Sequence, residues 1–284
     1  MDGGLADGVN GRAGAGGRGG IDDWQAFWID GPARSLYAAL HPVAGTPGTG
    51  VVIVPPLVDE LPRSRRFVTE MAGELAAAGL PALRFDFHGT GDSSGEGGEL
   101  DFESMRIDLG LAIAALRART RVSRVAVLAL RGSALFVDEW VAKGGTADLL
   151  VLWEPLPDGA AWLRELVDAD AGARAILPPP RPGVPRTGST SDGQLMGFRV
   201  SPRLRDELAG ARLGTGLVRR PGRTWAVLRA GDASPEGFTR LFPLPASAPA
   251  FSGGVSMDAT LFLAPAVRAL VRELGSGMRE AEWA

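Results

Sequence analysis

The 284-residue chain contains no cysteine and only two histidines, His41 and His88. The first absence excludes disulfides, thiolate nucleophiles and zinc–thiolate sites. The second leaves almost no material for histidine-based acid–base chemistry or metal ligation. Basic residues are not in excess either: 30 Lys and Arg stand against 33 Asp and Glu, for a net charge of −3. Nucleic-acid binding needs a concentrated basic face, so no nucleic-acid partner is expected. No run reaches the roughly 18 apolar residues of a membrane span, so no transmembrane segment is expected. Residues 1–20 are mostly Gly, Ala, Asp, Asn and Arg, without the apolar stretch of a signal peptide. They read as a disordered tail, and the default location is the cytoplasm.

What is present is a strand–helix rhythm over residues 21–284. Trp24 to Asp30 and Ser35 to His41 read as two strands joined at Gly31-Pro32. Gly50 to Val54 (GVVIV) is a β-branched run of the kind buried on both faces of a parallel sheet. Pro62 to Ala78 places Phe67, Met71 and Leu75 on one helical stripe, with Gly79 as a C-cap. A strand (Pro81 to Phe87), a Gly-rich loop (His88 to Gly98) and a helix (Asp101 to Arg117) follow. Arg124 to Leu130, Gly132 to Ala142 and Leu149 to Trp153 continue as strand, helix and strand. Asp158 to Asp170 is helical, but PPPRPGVP (Pro178 to Pro185) excludes helix and central strand. Residues 155–220 therefore read as a cap or insertion. Thr224 to Ala230 resumes the sheet, and Ala259 to Leu274 is the closing helix. The order implies an α/β fold with a mostly parallel sheet covered on both faces.

The segment Leu83 to Gly95 (LRFDFHGTGDSSG) resembles the strand-4 loop of α/β-hydrolases, where Asp-x-x-Gly-x-Gly-x-Ser is common. It lies one strand–helix unit before VAVLALRGSA, where that fold places its nucleophile elbow. Three further segments are similar to the exosortase A system-associated hydrolase 2 family: Pro55 to Arg66, Leu150 to Leu166 and Gly197 to Leu208. The resemblance runs from Trp24 to the end. It implies the α/β-hydrolase fold and an exopolysaccharide or protein-sorting setting, but no established reaction.

A nucleophile elbow is a strained strand-to-helix turn whose tip needs small residues two before and two after it. On VAVLALRGSA, Ala129 and Ser133 are small, which makes Arg131 the tip. The rival register puts Ser133 at the tip but flanks it with Arg131 and Leu135, neither of them small. Arg131 is protonated at any physiological pH and cannot attack a carbonyl. Active enzymes of this fold carry their histidine after the last strand. Here that stretch, Phe251 to Met257, is FSGGVSM. Loss of nucleophile or base alone costs on the order of 10⁶ in turnover in a serine hydrolase. Ordinary ester hydrolysis is therefore not expected.

In this fold the turn Pro56-Leu57-Val58 and the amide of Gly132 form the oxyanion hole. Because these donors are backbone groups, they survive side-chain change. Arg131 beside a helix N-terminus either attracts a small anionic or acyl ligand or pairs with a carboxylate and fills the site. Asp59, Glu60 and Glu154 follow strands at the sheet edge where such folds bind ligands. Glu154 suits either a partner of Arg131 or an alternative acid position of the fold, while Asp59 and Glu60 suit a helix first turn. Asp232 stands where a triad acid would, without a histidine to orient, and reads as a turn residue. His88 is a candidate proton carrier, and Asp92 is expected to bind loop amides. Arg63, Arg65 and Arg66 read as a solvated face. No cofactor or metal is implied. The competing enzyme readings are a hydrolase or acyltransferase acting on an ester or thioester. One uses Arg131 with Glu154 or His88 as base, and the other uses Ser133 as nucleophile.

Overall fold

A computed structural model describes residues 23–175, 193–219, 223–232, 236–251 and 260–281. The expected tail, the Pro-rich stretch and most of the FSGGVSM loop lie outside these residues. Eight strands form one sheet in the order β1-β2-β4-β3-β5-β6-β9-β10. β1 (Gln25–Gly31) and β2 (Arg34–His41) form a hairpin, and β2 runs antiparallel to β4 (Ala82–Phe85). From β4 onward every pair is parallel: β3 (Thr49–Val54), β5 (Arg124–Leu130), β6 (Leu149–Trp153), β9 (Thr224–Leu228) and β10 (Arg240–Pro243).

The β-branched runs dictate this centre. All six residues of β3 and all five of β6 are buried, as a strand covered on both faces requires. Alternate side chains divide between two cores. Val52, Val54, Val127 and Leu152 pack with side chains of α2 (Phe102–Thr120) and α3 (Ser133–Ala142). Val51, Ile53, Leu128 and Val151 pack with those of α1 (Glu60–Ala77) and α6 (Pro265–Glu280). The sheet therefore has helices on both faces, as an α/β fold with a mostly parallel sheet requires.

Between β6 and β9 the chain leaves the sheet. It forms α4 (Gly159–Ala175), a small hairpin of β7 (Gln194–Leu195) and β8 (Phe198–Arg199), and α5 (Pro202–Gly210). The hairpin turns on Met196 and Gly197, both at positive φ, as a two-residue turn between twisted strands demands. Trp162 of α4 is buried and lies against Gly132, where a Cβ would stand 2.6 Å from its ring. Gly132→Ala should therefore destabilise the protein by about 1–3 kcal/mol through overpacking. A shift of the urea midpoint to lower concentration checks this, and an unchanged midpoint would show that Trp162 yields freely.

Two expectations differ from the structure, and one strand carries no signal in the sequence. The closing helix starts at Pro265 rather than at 259, because the residue before a proline is held extended: Ala264 has ψ of 154°. β10 carries no apolar run, since only Phe242 of its four residues is buried, and periodicity does not reveal it. Arg63 is not on a solvated face: it is buried beneath Phe251, bonded to that residue's carbonyl oxygen and paired with Asp59 at 3.3 Å.

Candidate functional site

The carboxyl ends of β3, β5 and β6 meet at one edge of the sheet, and each is followed by a non-glycine residue in the left-handed region. These are Val58 at φ +55°, Arg131 at φ +56° and Glu154 at φ +43°. Such backbone costs roughly 1–2 kcal/mol per residue and is strained further for β-branched valine. Local hydrogen bonds hold it. The Arg131 amide donates to the Trp153 carbonyl oxygen (2.9 Å), and the Glu154 amide donates to that of Val227 (2.9 Å).

Arg131 forms the tip of the turn from β5 into α3. Ala129 and Ser133, two residues to either side, are fully buried. Ser133 is turned inward, and its hydroxyl donates to the Pro55 carbonyl oxygen at the end of β3. Leu57 and Val58 form the neighbouring turn, and Gly132 begins the helix.

Arg131 lies inside the protein, 8% exposed. Its Nε and Nη2 both sit 3.2 Å from Glu60 Oε1. Nη1 donates to the main-chain oxygen of Glu154 (3.4 Å), and the guanidinium lies 5.6 Å from the Phe251 ring centroid. The Glu154 carboxylate instead contacts Arg229, whose guanidinium also donates to the Pro249 carbonyl oxygen (2.7 Å). Asp232 accepts a hydrogen bond from the Arg229 amide (3.0 Å) and closes a turn. Asp59, Glu60 and Glu154 thus face Arg63, Arg131 and Arg229, three charges of each sign when all are ionised.

Burial dominates the protonation of these acids. It pushes Glu60 up to about 7, although Arg131 opposes the shift. Glu154 is raised by burial against the pull of Arg131 and Arg229, and Asp59 by burial against Arg63. Burial thus opposes the ionisation of Glu60 near neutral pH even beside Arg131.

The histidines lie elsewhere. His41 is fully buried in β2 and accepts from Arg84 Nε (3.4 Å). Burial, with Arg84 beside it, lowers it to about 4. His88 lies in the loop after β4, with Nε2 3.2 Å from Glu99. Neither histidine hydrogen-bonds Ser133, Asp59, Glu60 or Glu154. Asp86, rather than Asp92, accepts the loop amide; Asp92 pairs with Arg65 at 3.3 Å. Among the described residues no group of three or more His, Asp and Glu is arranged to hold a metal, and no helix is long and apolar enough to cross a membrane.

Beside Val58 opens a cavity of about 130 Å³, lined mainly by apolar side chains such as Leu57, Leu61, Leu100, Phe198 and Leu204, with Arg199 in its wall. It lies between the β3–α1 turn and the segment that follows β7. Its apolar lining was not legible from spacing, because residues more than 140 positions apart contribute to it.

No protein-family model and no curated protein matches the sequence. Solved structures match its shape. The α/β hydrolase GrgF from Penicillium sp. sh18 is 16% identical with TM-score 0.59, over 90% of this chain and 99% of that one. Est1E from Butyrivibrio proteoclasticus, solved with ferulic acid, is 14% identical with TM-score 0.55, over 89% and 97%. A lidless serine hydrolase from Xanthomonas campestris is 14% identical with TM-score 0.52, over 92% and 97%. At these identities the likeness is one of fold, and that fold is the α/β hydrolase.

Proposed function

We propose that this chain is an α/β-hydrolase-fold protein whose elbow is non-hydrolytic and which binds a small acyl compound at the carboxyl edge of its sheet. The observation that carries this reading is Arg131 at the tip of the elbow, ion-paired to Glu60 and unable to act as a nucleophile. Ser133 is buried and bonded to Pro55. The apolar cavity beside Val58 suits the tail of the ligand. A carboxylate or thioester head would meet the Leu57, Val58 and Gly132 backbone and Arg131, competing with Glu60 for its charge. The likeness of Pro55 to Arg66 and Gly197 to Leu208 to the exosortase A system-associated hydrolase 2 family adds a setting in exopolysaccharide or protein-sorting chemistry, within the cytoplasm.

The test is a thermal-shift series of short- to medium-chain carboxylates and their thioesters. A ligand at about a hundred times its dissociation constant adds about 2.7 kcal/mol. For a domain of this size that is a rise of about 5 °C in unfolding temperature. Leu204→Asp, which puts charge into the cavity, should abolish the rise. If no member of the series stabilises the wild type, the reading fails. It fails equally if ester turnover is present and disappears in Ser133→Ala.

A further inference from the structure

The loop after β4 carries a second constellation that the elbow does not use. Ser94 is exposed, and its hydroxyl oxygen accepts a hydrogen bond from the Ser35 amide (2.8 Å). Its remaining polar contact is His88 Nδ1, at 3.4 Å. On the other side of the ring, Nε2 lies 3.2 Å from Glu99 Oε2. Glu99 selects the tautomer with its proton on Nε2, which leaves the Nδ1 lone pair facing the Ser94 hydroxyl. We propose that Ser94, His88 and Glu99 form a nucleophile–base–acid relay that accepts acyl or phosphonyl groups from activated donors. The logic is that of a serine triad with the two ring nitrogens exchanged.

Several features hold the relay. The His88 amide donates to Asp108 Oδ2 (2.8 Å), and Asp108 is fully buried and anchored to Arg34 (2.6 Å). Glu99 also accepts from the Glu96 amide (2.8 Å). Gly95, at φ +95°, lies against the imidazole, where a Cβ would collide with Nε2. Among the described residues the Gly95 amide has no hydrogen-bond acceptor. It follows the nucleophile directly, which is the position of an oxyanion donor in serine hydrolases.

In the reaction, Ser94 Oγ bonds to the carbonyl carbon of an ester or thioester while its proton passes to His88 Nδ1. The bond to the leaving oxygen or sulfur breaks, and the alcohol or thiol departs with that proton. The acyl-serine remains until water, deprotonated by the same nitrogen, releases the acid and restores Ser94.

The chain has no cysteine, so Ser94→Cys creates its only thiol. The charged groups around the ring are Glu99 at Nε2, Asp108 at the main-chain amide and Arg34 behind it. Alkylation of that thiol by iodoacetamide should have a pH midpoint below the roughly 8.5 of a free thiol. Adding His88→Gln or Glu99→Gln should return it toward that value, without change in unfolding temperature. In the wild type, a fluorophosphonate should label Ser94 at least about tenfold faster than Ser93, which lacks a base. Ser133→Ala should leave that rate alone, which separates this site from the elbow. A thiol midpoint near 8.5 that His88→Gln does not move, or equal labelling of Ser93 and Ser94, overturns the proposal.

Discussion

Replacing Arg131 with leucine should lower the unfolding free energy by about 3–5 kcal/mol near pH 8, the cost of stripping one partner from a buried ion pair. Near pH 5 the loss should shrink to about 1 kcal/mol, the scale of a lost hydrogen bond. The difference comes from Glu60, which is 2% exposed and already pushed up to about 7 by burial. Its folded value lies above the unfolded 4.5. Between those values the folded chain holds more protons than the unfolded one, so stability falls as pH rises and levels off above about 7. Without Arg131 the folded value climbs further, and the penalty of ionising Glu60 extends to higher pH. Glu60→Gln added to Arg131→Leu should recover most of the loss near pH 8. Backbone strain does not confuse the comparison, because leucine suffers at φ +56° as arginine does. Urea unfolding of wild type, single and double variants at both pH values measures all of these effects. Equal losses at the two pH values would sink the argument.

Asp138→Ala should cost about 3–5 kcal/mol, from backbone donors left buried and unpaired at about 1–3 kcal/mol each. Asp138 sits in α3, 1% exposed, and its carboxylate accepts from the amides of Gly214, Gly216 and Leu217 at 3.0, 2.9 and 2.8 Å. Burial raises its protonation point against the pull of those amides, so the carboxylate is costly to bury and useful only while they surround it. Removing it frees the chain that returns from α5 toward β9. Asp138→Asn keeps one oxygen acceptor and should cost about half as much. Chemical denaturation gives the free energies. Hydrogen exchange should show the Gly216 and Leu217 amides opening first in the alanine variant. A cost below about 1 kcal/mol would mean that water replaces the carboxylate without penalty.

Local chemistry made much of this molecule legible in its sequence. GVVIV and RVAVLAL read as central strands because burial on both faces demands continuous apolar runs, and both are central strands. Small residues at 129 and 133 point to Arg131 as the tip of a strained turn, and Arg131 has a positive φ between β5 and α3. Contacts between distant residues were less legible. Glu60 meets Arg131 across 71 positions, and Arg63 meets Phe251 across 188. No periodicity encodes such pairs. Glu154 looked like the partner of Arg131 because both end neighbouring strands, yet its carboxylate turns to Arg229. Ser94 carries no mark in the sequence, because a surface serine in a Gly-rich loop looks like any other. Glu99 comes back to His88 only through the short helical turn at Gly97–Glu99.

The left-handed turn at Arg131 has a consequence for redesign. A residue confined to so narrow a basin launches its side chain along a direction set by the main chain, whatever that side chain is. Position 131 is therefore a fixed mount at the head of α3. A designer who wished to install a new reactive group in this cysteine-free, histidine-poor scaffold would find the aim already built, and would have to remove the counter-charge at Glu60 along with the arginine.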